Sequence, residues 1–297
     1  MNKLQLILDG LMRRYKERVP DVEKVISAMI AEGLIRRADD IENDHIAFRT
    51  MGVPHLGIQS LEKIFLHHGY IKKDYYYFAE KRLDAYWYAP PEPSLPRIFI
   101  SELRVKDLPA ATRDMIHNYT SEVTADPVLQ LDLDDVAAVD AFLHSGLWRT
   151  PSYRDYTVLA GVSEYASWAI YNSYYLNHFT ISVHNLPAGY NEIGRFNDFL
   201  EKQGLQLNDA GGKFKKSPDG LLLQSSTVAG MIEAEFAGGE KHAIAGSYVE
   251  FAERRVLPEF SHLDPAAIKR VHRREGFEAA NADKIFESTY SSQTNKR

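Results

Sequence analysis

His45-Ile46-Ala47-Phe48-Arg49-Thr50-Met51-Gly52 alternates in character over a few residues and is too short for a helix, so it reads as a β-strand. A period of two puts His45, Ala47 and Arg49 on one face, with about 13 Å between the outer Cα atoms. Downstream come the helix-like IQSLEKIFLHHG, stopping at Gly69, and then DYYYFAEKRL, DAYWYAPP and RIFISELRV. That order is βαβββ. It returns late in the chain, with LNHFTISVH as a strand, NEIGRFNDFLEKQG as a helix closing on Gly204, and strands near LLLQSS, VAGMIEAEF and GSYVEFAERR.

The fold class expected from this repeat is α+β, with two βαβββ modules side by side forming a cupped central sheet. A curved sheet with a polar interior can house a metal and a small ligand. The predicted divisions are N-terminal helices over 1–40, a first module over 41–107, a helical insertion over 108–174, a second module over 175–256 and a helical C-terminal segment over 257–297. All belong to a single catalytic domain. Pro20 sits where it can open the second of two N-terminal helices, and SSQTNKR at the end reads as frayed.

Bulk properties narrow the function. The 297 residues are 44% hydrophobic and 26% charged, as in an ordinary folded domain, and the formal charge of −6 offers no field to gather nucleic acid or anionic lipid. With no cysteine, disulfides, iron–sulfur clusters and thiolate zinc sites are excluded, so any metal must be held by His and carboxylates. No export signal or membrane-spanning stretch is evident, and the expected location is the cytoplasm. Nothing sets the oligomeric state.

Residues on the expected strands carry the candidate chemistry. His45 and Arg49 share a face, which suits a ligand that coordinates a metal at one end and presents a carboxylate at the other. An edge-strand His beside a surface salt-bridged Arg is the plainer alternative. In LNHFTISVH both His178 and His184 fall on one face; His178 is preferred because it opens the second module as His45 opens the first. Glu250 lies between Val249 and Phe251, where a carboxylate is costly unless it meets a cation, although pairing with Arg254 or Arg255 would also serve. Glu102 is read as its counterpart in the first module. As a fourth ligand it would close the metal site; the preferred reading is a residue beside the ligands or paired with an arginine.

NDHIAFRT, LNHFTISVH, GSYVEFAERR and REGFEAANADKIFEST together resemble the 2-oxoadipate dioxygenase/decarboxylase family of the vicinal oxygen chelate superfamily, over about Asn43 to Thr289. The resemblance implies one Fe(II) held by His45, His178 and Glu250, with Arg49 binding a substrate carboxylate and Ala280 and Asn281 touching the substrate. It implies a small 2-oxo acid and O2 as the reactants, with 2-oxoadipate giving 2-hydroxyglutarate and CO2 in lysine catabolism. Two other readings stay open: a glyoxalase- or epimerase-like isomerase using a divalent metal as Lewis acid, and a small-molecule-binding protein without activity.

Overall fold

The computed structural model describes residues 2–297. Helix α1 (Lys3–Arg18) starts at Asn2, whose side chain accepts from the Leu4 amide, and α2 (Pro20–Ala31) places Pro20 where no helical N–H is missed. The first module follows as β1 (Asn43–Met51), α3 (Ile58–His67), β2 (Ile71–Phe78), β3 (Leu83–Ala89) and β4 (Arg97–Leu103). Four helices intervene: α4 (Ala110–Thr120), α5 (Val136–His144), α6 (Tyr153–Val162) and α7 (Glu164–Asn172). The last two are started by Ser152 and Ser163, whose hydroxyls accept from amides of the first turn.

The second module comprises β5 (His178–Ser182), α8 (Ile193–Lys202), β6 (Lys215–Lys216), β7 (Leu222–Ser226), β8 (Met231–Glu235), β9 (Lys241–Ala245) and β10 (Tyr248–Arg254). The chain ends in short 3-10 turns, α9 (Ala279–Ile285), a further 3-10 turn (Phe286–Thr289) and α10 (Ser291–Thr294).

One mixed eight-stranded sheet runs β2-β3-β4-β1-β5-β10-β7-β6. The order is palindromic in kind. In each half the first strand pairs in parallel with the last, β1 with β4 and β5 with β10, and the halves meet where β1 and β5 run antiparallel. The expected pair of βαβββ modules is therefore present, with two differences in the second. VAGMIEAEF does not enter the sheet: β8 pairs only with β9, as a separate hairpin, and two-residue β6 fills the outer position. The sheet strand β5 also ends at Ser182, so His184 sits in a 3-10 turn rather than on a strand face.

The two faces of the sheet are covered differently. Behind it, Tyr15 of α1 packs edge-on to Phe179, the residue after His178 and so on the opposite face. In front, Tyr165 and Trp168 of α7 and Phe286 of the C-terminal segment surround the Arg49 guanidinium, at 5.1, 5.0 and 5.9 Å from its carbon. The expected frayed end is instead anchored: Arg297 donates to both oxygens of Asp21 at 2.8 and 2.9 Å and to the Val228 carbonyl.

Candidate metal centre

His45 comes from β1, His178 from the start of β5 and Glu250 from the middle of β10, three neighbouring strands at the centre of the sheet. Strand alternation turns all three to the front, and their side chains are buried. His178 Nε2 is 3.0 Å from Glu250 Oε2, His45 Nε2 is 3.5 Å from Glu250 Oε1, and the two Nε2 atoms are 3.4 Å apart. One donor atom from each residue lies within 4.8 Å of the others.

Both imidazoles turn Nε2 toward the shared space, where Thr180 Oγ1 also lies 3.1 Å from His45 Nε2. His45 Nδ1 is engaged by Asp44 Oδ1 at 2.8 Å, and His178 Nδ1 by Asn177 Oδ1 at 3.1 Å. Each ring thus gives its Nδ1–H to the preceding residue, which fixes the tautomer and points the Nε2 lone pair at the shared space. Asp44 went unnoticed in the sequence because neighbours on a strand normally face apart. A register shift between Asn43 and Ile46 bends β1 there and brings the two side chains together.

Charges follow from these contacts. Burial pushes the Glu250 carboxyl up, but the two imidazoles beside it prevail and hold it well below the usual carboxylate range. His45 loses basicity to burial and regains more from Glu250 and Asp44, so it is raised on balance, whereas burial dominates at His178 and lowers it. Two borderline nitrogens and a hard carboxylate oxygen, in a site without thiolates, form a donor set that suits a first-row divalent ion.

The remaining predicted residues are placed as follows. Arg49 is 1% exposed and donates to Thr289 Oγ1 at 2.9 Å and the Phe286 carbonyl at 3.0 Å. Among the described residues no carboxylate pairs with it, and its Nε is left without a partner, as is the buried hydroxyl of Tyr248. Asn281 is buried but reaches Gln224 Oε1 at 3.1 Å, and Gln224 Nε2 in turn donates to Glu250 Oε1 at 2.7 Å. Asn281 therefore reaches the Glu250 carboxylate at one remove. Ala280 is exposed; Ala282, turned about 200° from it on the helix, lines the cavity instead.

Glu102 is not at the centre. It pairs in register with Thr50, whose side chain is on the face opposite His45 and Arg49, and its Oε2 accepts from the Ile58 amide at 2.7 Å. The strand register of the two modules gives the reason. Two residues beyond His178, Thr180 faces Glu250; two beyond His45, Ala47 faces Phe99. The place that Glu250 holds in the second module belongs to Phe99 in the first. His184, the alternative ligand, lies elsewhere, its Nδ1 accepting from the Arg254 amide at 3.2 Å.

In front of the three donors is a small cavity of about 20 Å3 bordered by Phe99, Tyr248, Phe277, Ala282, Ile285 and Phe286.

Two βαβββ modules joined edge to edge, around buried His, His and Glu side chains that could hold a metal ion, give a fold of the vicinal oxygen chelate kind. Residues 7–264 match the family model described as 2-oxoadipate dioxygenase/decarboxylase. The chain is 43% identical to the Arabidopsis thaliana protein named 2-oxoadipate dioxygenase/decarboxylase, chloroplastic, over 98% of this chain and 78% of that protein. It is 40% identical to the Oryza sativa subsp. japonica protein named as chloroplastic/amyloplastic, over 98% and 80%. The crystal structure of the Oryza sativa hydroxyglutarate synthase in complex with 2-oxoadipate superposes with a TM-score of 0.88 at 40% identity, covering 97% of this chain and 92% of that one. The chain belongs to the 2-oxoadipate dioxygenase/decarboxylase family. The plastid locations in the relatives' names overturn the expectation of a cytoplasmic protein, which rested on composition and the lack of an evident export signal.

Proposed function

We propose that this protein is an Fe(II)-dependent dioxygenase/decarboxylase that converts 2-oxoadipate and O2 to 2-hydroxyglutarate and CO2, with lysine catabolism as the route supplying its substrate. The observation that carries this reading is the count of donors. His45, His178 and Glu250 converge, while Phe99 stands where a fourth protein ligand would be. Three protein donors leave room at a six-coordinate ion for a chelating 2-oxo acid and for O2. Bound there, Fe(II) would supply the one-electron chemistry with O2 that amino-acid side chains lack.

The chain's own residues account for binding and shielding. Arg49, a buried guanidinium without a carboxylate partner, has an unpaired Nε suited to the distal carboxylate of a dicarboxylic 2-oxo acid. The Tyr248 hydroxyl, also unpaired and buried, offers a further donor. Phe99, Phe277 and Phe286 keep water from the reacting end, which limits side reactions. Glu102 as a fourth ligand would have favoured the isomerase reading, and that carboxylate is on the other face of the sheet.

The test is oxygen uptake by protein reconstituted anaerobically with Fe(II) and given 2-oxoadipate, with one CO2 and one 2-hydroxyglutarate expected per O2. His178→Ala and Glu250→Ala should abolish uptake. A metal-replete parent that consumes no oxygen would sink this reading.

A further inference from the structure

Asp44 is one of the most enclosed carboxylates in the molecule, 1% exposed and held from three sides. Arg254 grips it with two parallel bonds, Nε to Oδ2 at 2.7 Å and Nη2 to Oδ1 at 2.9 Å. Arg97 Nη1 approaches Oδ2 at 3.3 Å, and His45 Nδ1 lies 2.8 Å from Oδ1. The same arginines reach the roof of the cavity. Arg254 Nη1 donates to the Gly276 carbonyl at 2.7 Å, Arg97 Nε donates to Glu275 Oε2 at 2.7 Å, and Phe277 stands edge-on to His45 at 4.8 Å.

An ion cluster of this kind can be purely structural, since buried salt bridges are poor evidence of net stabilisation. The other module supplies an internal comparison. There His178 is backed by Asn177, an amide whose Nδ2 has no partner and to which no arginine donates among the described residues. An amide oxygen orients a ring. A carboxylate orients it and also draws on the Nδ1 proton, making Nε2 the stronger donor. The two arginines hold that carboxylate in place.

We propose that Asp44 is a positioning residue that, clamped by Arg254 and Arg97, strengthens and aims His45 as a metal ligand, so that the two histidines are unequal donors by design of their preceding residues. The proposal rests on the reading of His45, His178 and Glu250 as the metal ligands.

The experiment is titration of the full-length protein with Co(II), reading the dissociation constant and the visible ligand-field bands together, with hydrogen exchange at the Gly276 and Phe277 amides as a separate measure of the roof. Asp44→Asn is expected to weaken Co(II) binding roughly 10–100-fold and to move the bands. A folded Asp44→Asn protein with a dissociation constant within about twofold of the parent and unmoved bands overturns the proposal, and faster exchange in the roof alone would then mark the cluster as structural. If Asp44→Asn does not fold, Asp44→Glu decides by the same two readings, since it retains the charge facing both arginines and displaces only the carboxylate. A parent protein that takes up no Co(II) sinks the ligand assignment and this proposal with it; a parent that binds, alongside a variant that binds equally well, sinks this proposal alone.

Discussion

Glu102 and Glu253 occupy equivalent places in the two modules and make the same bond: Glu102 Oε2 accepts from the first amide of α3, Ile58, and Glu253 Oε2 from the first amide of α8, Ile193, both at 2.7 Å. Neither helix has a capping side chain of its own at that end. A carboxylate delivered from the last strand of each module satisfies an otherwise unpaired N–H and meets the positive end of the helix dipole. Glu102→Ala is therefore expected to lower stability by about 1–2 kcal/mol, seen as a lower calorimetric Tm, while Co(II) affinity stays at the parent value. Glu250→Ala should do the opposite to binding and lose the metal altogether.

Gly57 just precedes α3 with φ of +83°, and a Cβ there would fall on Glu102 Oε2. Gly33 has a similar φ of +75° with nothing within 4 Å of an added Cβ. Gly33→Ala should thus cost only the conformational term, about 1 kcal/mol, whereas Gly57→Ala adds loss of the cap and should cost about twice that or more. Urea denaturation of the two variants side by side measures the difference.

Arg49 separates stability from activity. Its guanidinium is buried among Tyr165, Trp168 and Phe286 with no acidic partner, so Arg49→Met removes a desolvated charge and keeps most of the packing. The variant should melt within a few degrees of the parent yet lose on the order of 100-fold or more in kcat/KM for 2-oxoadipate in the oxygen-uptake assay. Arg49→Lys should restore little, because a single ammonium cannot reproduce the planar fork.

Acid sensitivity is expected from His184. Burial, opposed by Asp44 and reinforced by Arg273 and Arg254, lowers it to about 3. Its Nδ1 also accepts from the Arg254 amide, which a protonated ring cannot do. The folded value lies below the unfolded one, near 6.5, so this contribution to stability is present above about pH 6.5 and is lost as pH falls toward 3. Denaturation midpoints measured between pH 7 and 4 should fall less steeply in His184→Gln than in the parent.

How much of this was legible beforehand depended on which physical rule fixed each feature. His45, His178 and Glu250 were readable because alternation along a strand is local: a polar side chain on an apolar face announces itself within five residues. Glu102 was matched to Glu250 because both lie in a closing strand, but equivalence between strands is a matter of register. Register is set by pairing across the sheet, which puts Phe99 opposite Ala47 and Glu250 opposite Thr180. The β8–β9 hairpin shows the same limit. VAGMIEAEF has strand character, but sequence does not say which partner it finds. Asp44 was hidden by a bulge, and Ala280 by a difference of two residues in helical phase.

The roof over the cavity comes from Gly276 to Thr289, well after Glu250, the last of the three candidate ligands. During synthesis the chain therefore emerges with its complete donor set before the segment that shields it. A nascent or C-terminally clipped polypeptide would present the same three ligands to solvent, with Arg49 lacking its contacts to Phe286 and Thr289. Such a chain could take up metal in an open cup where water competes with the 2-oxo acid, and proteolysis near the C-terminus would uncouple metal loading from productive turnover.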